Sequence, residues 1–460
     1  MSKNQSAVVA QAGETEVRVL SLRPISRPLI ISLLGAGILV NAVIVLVGLS
    51  QAGGAPAAVP RATGDFDYGL TFGDLYDFIA KNLYQGYGYK VEPYMGETIL
   101  REPGYPMLIA AVFKVGGYNE QGPRLACILL AFGAALILLL LTHRITGDGT
   151  IALIAALLFL LYPGILIAEA RAGNEIPCVF TILLFTLALY RAVEEESLWR
   201  FGAAGLLLGV AALVRSEVLM FPLFLLAYLV FTSKGWGARG RVVLRIAALG
   251  AGTLVVMSPW IIRNYLLVHE FVPTDTLGGV AAQEGLYTCQ HLSQDGSFYL
   301  SQRAAGRERA EVARQLGLSF EGSYYYQFFY TPQDEMKFNR ALLDRVSKEY
   351  RRDPGVLVGC AAENLLFKFW FLGKTPRATR MNMIVQLPLL AFVLGGLIVL
   401  NAMGLLQKAA MALLWIIYVP IIHAPIIAHA RHSMLVFAFL TVPAAVFLAW
   451  VWRVLRTQHP

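Results

Sequence analysis

The amino-acid sequence predicts an all-α protein that crosses a membrane about ten times. Of the 460 residues, 57% are hydrophobic and only 15% are charged, whereas soluble domains average about 25% charged residues. Apolar runs long enough to cross a hydrocarbon core, about 17 to 25 residues, also recur along the chain. Four cysteines together with 25 Phe, 20 Tyr and 7 Trp residues exclude a disulfide scaffold and a disordered chain. What remains is an integral membrane protein.

The expected spans are apolar runs separated by charged or turn-forming residues. Seven runs reach the required length: 28–50, 125–141, 150–168, 246–262, 381–407, 409–428 and 433–452. Three shorter runs, 176–190, 201–214 and 218–233, can span when they are packed among longer helices. The first run has the length of an uncleaved anchor rather than of a signal peptide.

The orientation follows from Lys and Arg, which resist translocation. With the N-terminus inside, fourteen of these residues fall in cytoplasmic segments and three in short outer connections. The net charge of +8 is therefore attributed to the Lys and Arg residues that fix the orientation in the membrane. No nucleic-acid partner is predicted. The chain divides into a cytoplasmic tail 1–27, the first span 28–50, a first long connection 51–124, spans two to seven in 125–262, a second long connection 263–380, spans eight to ten in 381–452 and a cytoplasmic tail 453–460. Both long connections are expected on the outer side of the membrane. The active site is expected there as well.

The first long connection carries eight acidic and six basic residues. A short helix over 73–80 would place Asp74 and Asp77 on one face. The two acids either cap and stabilise the helix N-terminus or supply a general base. The apolar stretch 105–115 is too short to span and is expected as an interfacial helix.

The second long connection is predicted to be helical, with amphipathic helices over 335–352 and 356–372. The aromatic stretch 322–330 suits stacking on a sugar, but packing on the membrane surface is favoured. Cys289 and Cys360 share the oxidising side and could pair, whereas Cys127 and Cys178 lie in spans.

Several motifs resemble, in order along the chain, the bacterial GT-C glycosyltransferases of the protein O-mannosyltransferase and aminoarabinose-transferase type. They are Asp74-x-Tyr76-x-x-x-Ala80, an acid beside Pro103-Gly104-Tyr105-Pro106, Leu161-Tyr162-Pro163, Gly205 to Gly209 leading into Arg215, Ser258 to Tyr265, Phe271-Val272-Pro273, Tyr350 to Pro354, and Arg431-His432 before an apolar span. The resemblance covers most of the chain.

The resemblance implies a GT-C-like fold with juxtamembrane helices on the outer face of the bacterial cytoplasmic membrane. The implied activity is an inverting transfer of one sugar from a polyprenyl-phosphate donor to a lipid, glycan or protein acceptor. The donor is already activated, so no nucleotide cofactor is implied. Some relatives use a divalent cation, which the acidic first long connection could hold; its ligands are unknown.

The same resemblance implies catalytic roles for three acidic residues. Asp74 matches the acid that orients or deprotonates the acceptor, and Asp77 is the less favoured neighbour at the substrate. Glu102 lies near the family's second acid, but Arg101 precedes it, which reverses the charge order of the aminoarabinose transferases. Glu175 lies near a further family acid, with Asn174 or Glu169 as the other aligned candidates. Glu175 could also be a first-turn acid of its helix.

Three arginines are candidates for the donor phosphate. Arg215 lies between two apolar runs, where a charge is costly unless it faces a polar cavity, or it snorkels to the headgroups. Arg263 could contact a phosphate or anchor the interface beside Trp260. Arg431 and His432 are expected at the carrier, and phosphate contact is favoured over a zinc site built from the neighbouring histidines.

Two other functions fit the same sequence. A secondary transporter or flippase would also have ten spans, charged residues within them and helices broken by proline, but no inverted repeat is found. A lipid-linked glycan ligase or oligosaccharyltransferase would share the architecture, with larger outer domains expected.

Overall fold

The fold is known from a computed structural model that describes Gly35, Leu39, residues 76–322 and residues 327–457. Asp74 and most of the predicted first span lie outside the described residues. The described chain is almost entirely helical, as the composition predicts. It is a multi-pass membrane protein with an all-α architecture.

The membrane helices occur at the apolar runs. They are α3 (Gln121–Thr146), α4 (Gly149–Leu160), α5 (Pro163–Ala170), α6 (Glu175–Glu194), α7 (Leu198–Val214), α8 (Phe221–Thr232), α9 (Trp236–Val268), α15 (Pro376–Ala402), α16 (Leu406–His423) and α17 (Met434–Thr457). Six of them are long and apolar enough to span, and the number is seven if the pair α4 and α5, which is bent by 50°, forms one span. The expected number of ten is not confirmed, because α7 and the segment Ser216–Thr232 are shorter than a usual span and run 28–50 is not described.

Glycine allows α7 and α9 to pack with their backbones almost in contact. A Cβ atom on Gly205 would lie 2.0 Å from the carbonyl oxygen of Leu249, and one on Gly252 would lie 2.1 Å from that of Gly202. The hydroxyl of Thr253 donates to the Gly205 carbonyl at 3.1 Å across this contact. Small residues and a side-chain hydrogen bond are the usual means of holding helices together in a membrane.

The two long connections form a second, polar layer beside the membrane helices. The first contains α1 (Tyr76–Gln85) and α2 (Gly104–Gly116). The second contains α10 (Gly278–Asp295), α11 (Phe298–Gln315), β1 (Phe320–Gly322), β2 (Gln327–Phe329), α12 (Pro332–Arg352), α13 (Pro354–Glu363), a π-helical turn (Asn364–Lys368) and α14 (Phe369–Phe371). The expected amphipathic helix is α12, and a disulfide joins Cys289 to Cys360. The cysteine pair that the sequence left open is thus closed in the structure.

The prediction that the aromatic stretch 322–330 packs on the membrane surface is wrong for Phe328 and Phe329. β1 and β2 pair as an antiparallel hairpin. Phe328 (2% exposed) packs with Tyr89 and Trp260, and Phe329 (4% exposed) packs against Phe338. Phe328 fills the core between the two long connections and Phe329 the core of the second, so neither ring is available to lipid or sugar. Tyr324 to Tyr326 lie outside the described residues.

Candidate active site

Arg215 is the centre of a buried polar cluster at one end of the membrane helices. It follows the last residue of α7 in an extended conformation, because a single 3₁₀ turn, Ser216–Val218, separates α7 from α8. Its guanidinium lies 2.7 Å from Oε1 of Glu217 and 3.4 Å from Oε1 of Glu175, and it donates to Oδ1 of Asn174 at 3.1 Å. Only 11% of the side chain is exposed. A buried arginine with three polar partners is held in place rather than snorkelling.

Glu175 joins two arginines that are far apart in the sequence. It begins α6 and is 1% exposed. One of its oxygens contacts both Arg215 and Nε of Arg431. The side chain of Arg431 is 32% exposed, which makes it the more accessible of the two arginines. The structure therefore brings together three of the predicted site residues, Glu175, Arg215 and Arg431.

Glu102 lies on the other side of the same cluster. Its Oε1 accepts the backbone N–H of Ser216 at 2.9 Å, and its Oε2 accepts the hydroxyl of Tyr76 at 3.0 Å. Asn174 donates to that hydroxyl at 3.1 Å and so links Glu102 to Arg215. Burial, and then the charge of Glu102, raise the pKa of Tyr76 well above its ordinary value. Tyr76 therefore remains a neutral donor to the carboxylate.

A further carboxyl, Asp275, interacts electrostatically with Glu102 and was not singled out in the sequence. It lies in the second long connection, where its side chain accepts the backbone N–H of Leu277 at 2.8 Å. Burial and the charge of Glu102 raise the pKa of Asp275 to about 7. The proximity of Asp275 to Pro273, which is part of the resemblance, is the only sequence signal for it.

Three imidazole rings form the remaining wall of the cluster. His423 Nε2 lies 3.2 Å from Oε2 of Glu217. The His423 and His432 rings stack with centroids 4.0 Å apart, and His432 and His429 follow at 4.2 Å. Burial lowers the pKa of His429 to about 3, and burial also lowers that of His432 well below its ordinary value. His429 and His432 are therefore neutral at physiological pH and add no positive charge to the cluster.

The other predicted site residues lie farther out. Arg263 pairs with Glu97 at 2.6 Å and its guanidinium stacks over Trp260, 4.4 Å from the ring centroid. Arg263 thus contacts Trp260, the residue expected beside it if it anchors the interface. Tyr89 lies between Arg263 and Glu102.

Arg101 and Asp77 flank α1 on different sides. The guanidinium of Arg101 lies over the Tyr76 ring, 4.8 Å from its centroid, which places it beside Glu102. Asp77 interacts with Tyr118, whose pKa is raised by burial and then by the charge of Asp77. The structure therefore brings Arg101 to the cluster and Asp77 near Tyr118. Asp74 lies outside the described residues.

The described residues do not offer a ligand set for the divalent cation that the resemblance allows. Among them there is no group of three or more His, Cys, Asp and Glu side chains that could hold a metal ion. Within the cluster the carboxylates of Glu175 and Glu217 contact arginines, and Glu102 accepts two hydrogen bonds. The cation remains a prediction, and no step below depends on it.

Comparison with known proteins gives three findings. A family model described as dolichyl-phosphate-mannose-protein mannosyltransferase matches residues 101–262. An uncharacterized protein of Aquifex aeolicus is 30% identical over 197 residues, which are 42% of this chain and 38% of that protein. The archaeal oligosaccharyltransferase AglB from Archaeoglobus fulgidus, in complex with an inhibitory peptide and a dolichol-phosphate, aligns over 93% of this chain and 51% of its own, with 14% identity and a TM-score of 0.52.

A further solved structure, ArnT from Cupriavidus metallidurans bound to undecaprenyl phosphate, is matched with 15% identity over 82% of this chain and 72% of its own. Its TM-score is 0.36, so the fold assignment does not depend on it. The chain spans about half the length of the archaeal enzyme and 38% of the Aquifex protein. The matched family model includes Arg101, Glu102, Glu175 and Arg215.

Proposed function

We propose that this chain, a membrane protein with the GT-C glycosyltransferase fold, transfers a single sugar from a polyprenyl phosphate to an acceptor. The acceptor is a lipid, a glycan or a protein, and the reaction takes place with inversion on the outer face of the bacterial cytoplasmic membrane. The active-site end of the molecule is the end of the helices at which Arg215, Glu175 and Arg431 meet.

The observation that carries the proposal is the arginine pair held by Glu175. A polyprenyl phosphate leaves as an anion at the membrane surface, and charge-assisted hydrogen bonds from preorganised arginines stabilise that charge as it develops. Arg215 is held by Glu175 and Glu217, so it needs little reorganisation. Arg431 is partly exposed and can be reached by a phosphate while its Nε remains on Glu175.

The reaction follows from the placement of the carboxylates beside these arginines. The acceptor oxygen attacks the anomeric carbon from the face opposite the phosphate, which inverts the configuration. The bond from that carbon to the phosphate oxygen breaks, and the phosphate keeps the electron pair. The acceptor proton goes to a carboxylate, for which Asp74 is the proposed base. Glu102, fixed by Tyr76 and Ser216, is proposed as the second catalytic acid.

The test is donor consumption by the purified protein in detergent, using a panel of radiolabelled polyprenyl-phosphate monosaccharides. The wild type should consume one donor, and Arg215→Ala should lower the rate by about 100-fold or more, as loss of one preorganised donor does. Arg144→Ala is the matched control. Arg144 pairs with the partly exposed Glu194, which is about 30 Å along α6 from Glu175.

Equal rates for Arg215→Ala and Arg144→Ala, with equal protein levels in the membrane, would contradict the role of Arg215. Turnover of none of the monosaccharide donors by the wild type would contradict single-sugar transfer itself. Measuring the control in the same preparation separates these results from a loss of folded protein.

A second function, transfer of a whole lipid-linked glycan, is favoured by the likeness to the archaeal oligosaccharyltransferase over 93% of this chain. That enzyme was solved with a peptide and a dolichol-phosphate. A lipid-linked oligosaccharide in the same donor panel distinguishes the two functions. If it is the donor consumed, and Arg215→Ala abolishes its consumption, whole-glycan transfer replaces the first proposal.

A further inference from the structure

The loop between α16 and α17, residues 424–433, brings Arg431 to the candidate site. Nε of Arg431 contacts Glu175, and the arginine side chain is 32% exposed. The loop consists of turns and irregular backbone. Its N–H and C=O groups therefore lack the ladder of a regular helix and need partners elsewhere in the fold. The position of Arg431 depends on these partners.

Asn364 is the partner of two carbonyl groups at the start of the loop. It is the first residue of the π-helical turn and is 2% exposed. Its Nδ2 donates to the carbonyl oxygen of Ala424 at 2.9 Å and to that of Ile426 at 2.7 Å. Removing a buried donor leaves its acceptors unsatisfied, which is more costly than the loss of an exposed hydrogen bond. One buried amide group thus fixes the backbone where the loop leaves α16.

The same stretch of the second long connection also holds the loop next to Arg431. The backbone N–H of Ala430 donates to the carbonyl oxygen of Leu372 at 2.9 Å, and the N–H of Leu372 donates to that of Lys368 at 3.1 Å. Lys368 ends the π-helical turn that Asn364 begins. Single π-helical turns are rare and occur frequently at functional sites. Residues 364–372 therefore contact the loop at its start and at the residue before Arg431.

α10 supports both the loop and the helix that leads to Asn364. The backbone N–H of Ile427 donates to the carbonyl oxygen of Ala281 in α10 at 3.0 Å. A disulfide joins Cys289 of α10 to Cys360 of α13, which lies about one helical turn before Asn364. The groups that hold the loop are thus themselves joined covalently.

We propose that Asn364 is a positioning residue for Arg431: through the 424–433 loop, it holds the guanidinium on Glu175 in the orientation that receives the phosphate of the polyprenyl carrier. This inference rests on the proposed function, in which Arg431 contacts that phosphate. Asn364 itself contacts the loop backbone, so its effect on the carrier must pass through Arg431. The second long connection thereby gains a part in donor binding.

The test is a double-mutant cycle on the affinity for undecaprenyl phosphate, the carrier without a sugar, measured with the purified protein in detergent. Arg431→Ala should weaken binding about 10-fold or more, because a charge-assisted hydrogen bond is lost. Asn364→Ala should weaken it about 5-fold, as coupled residues do. The double variant should bind as Arg431→Ala does. Wild-type affinity of Asn364→Ala would overturn the inference, and so would a further loss of about 5-fold in the double variant.

Asn82→Ala is the matched control. Asn82 is 3% exposed, and its Nδ2 also donates to two carbonyl oxygens, those of Lys90 and Val91, both at 2.9 Å. It acts within the first long connection, so its loss should lower the unfolding temperature as Asn364→Ala does but leave the affinity unchanged. If Asn82→Ala weakens binding as much as Asn364→Ala, the effect is a general loss of packing and the inference is wrong.

Tyr350→Phe is a milder variant that keeps the ring. It removes only the hydroxyl that donates to the carbonyl oxygen of Pro425 at 3.1 Å, between the two carbonyl groups that Asn364 holds. Binding should weaken about 2-fold, as expected for one ordinary hydrogen bond, and the loss should disappear when Arg431 is already alanine. A loss that persists in the Arg431→Ala background would contradict transmission through this arginine.

The affinities and the consumption of donor separate the two proposals. If Asn364→Ala weakens carrier binding only while Arg431 is present, and the wild type consumes no monosaccharide donor, the positioning role stands and the proposed function fails. If the wild type consumes a donor and the effects of Asn364→Ala and Arg431→Ala on affinity are additive, the proposed function stands and the inference fails.

Discussion

Glu335 should make the contact between the two long connections weaken as the pH rises. It lies in the first turn of α12 and is 4% exposed. Its Oε1 accepts the hydroxyl of Thr98 at 2.6 Å, and its Oε2 accepts the backbone N–H of Ile99 at 2.8 Å. Despite these hydrogen bonds, burial raises the pKa of Glu335 from 4.5 to about 7. The free-energy cost of burying the charged carboxylate is thus larger than the stabilisation from its two hydrogen bonds.

The sign and size of the effect follow from this shift. Between about pH 4.5 and pH 7 the folded protein binds more protons at Glu335 than the unfolded chain does, so the free energy of unfolding falls as the pH rises. The favourable contribution is complete below about pH 4.5 and is lost above about pH 7. A shift of about 2.5 units corresponds to roughly 3 kcal/mol.

Glu335→Gln keeps the shape and one carbonyl acceptor but cannot ionise. It should remove this pH dependence and unfold at a higher temperature than the wild type near pH 8. Thermal unfolding in detergent at about pH 5 and about pH 8 measures the global effect, and amide hydrogen exchange around Ile99 measures the local one. Glu311→Gln is the control, because Glu311 is 55% exposed and pairs with Arg314 on the surface. If the unfolding temperature of Glu335→Gln depends on pH as it does in the wild type, Glu335 is not the group responsible for that dependence.

Two structural predictions test the packing of the fold. Gly205→Ala places a methyl group 2.0 Å from the Leu249 carbonyl oxygen and should destabilise the α7 and α9 contact by about 2 kcal/mol or more. Gly250→Ala, on the same pair of helices, meets nothing within 4 Å and should be neutral or slightly stabilising; equal unfolding temperatures for the two variants would contradict the packing. Replacing Cys289 and Cys360 by Ser opens a loop of 71 residues and should cost about 4 kcal/mol. An unfolding temperature that is the same in the double variant and in the wild type, and insensitive to reductant, would contradict the disulfide.

The membrane helices could be predicted from the sequence because the length of an apolar run must match the thickness of the hydrocarbon core. The boundaries of the helices were predicted less accurately. The run 176–190 is below the usual length of a span and was expected to cross only when packed among longer helices, yet α6 extends from Glu175 to Glu194 and reaches the usual length by itself. Its polar ends continue the helix because Glu175 is paired with Arg215 and Arg431 instead of facing lipid. Hydropathy alone cannot identify a charged residue that belongs to a membrane helix because a partner elsewhere in the fold offsets the free-energy cost of burying its charge.

The site was predictable where a charge adjoins an apolar run and unpredictable where it lies in a polar connection. Arg215 and Arg431 were conspicuous for this reason, and resemblance added Glu102 and Glu175. Asp275 occurs in a segment with no periodicity, and only its proximity to Pro273 marks it in the sequence. The contact between Arg431 and Glu175 joins residues 256 positions apart, which no local pattern can specify.

The position of Ser216 explains how the first long connection reaches the site. The break between α7 and α8 leaves the backbone N–H of Ser216 to donate to Glu102, and it places the guanidinium of the preceding residue on Glu175. A continuous helix would have used that N–H in its own ladder. The short length of α7, which counts against it as a membrane span, therefore leaves a backbone donor available for an acid of the first long connection.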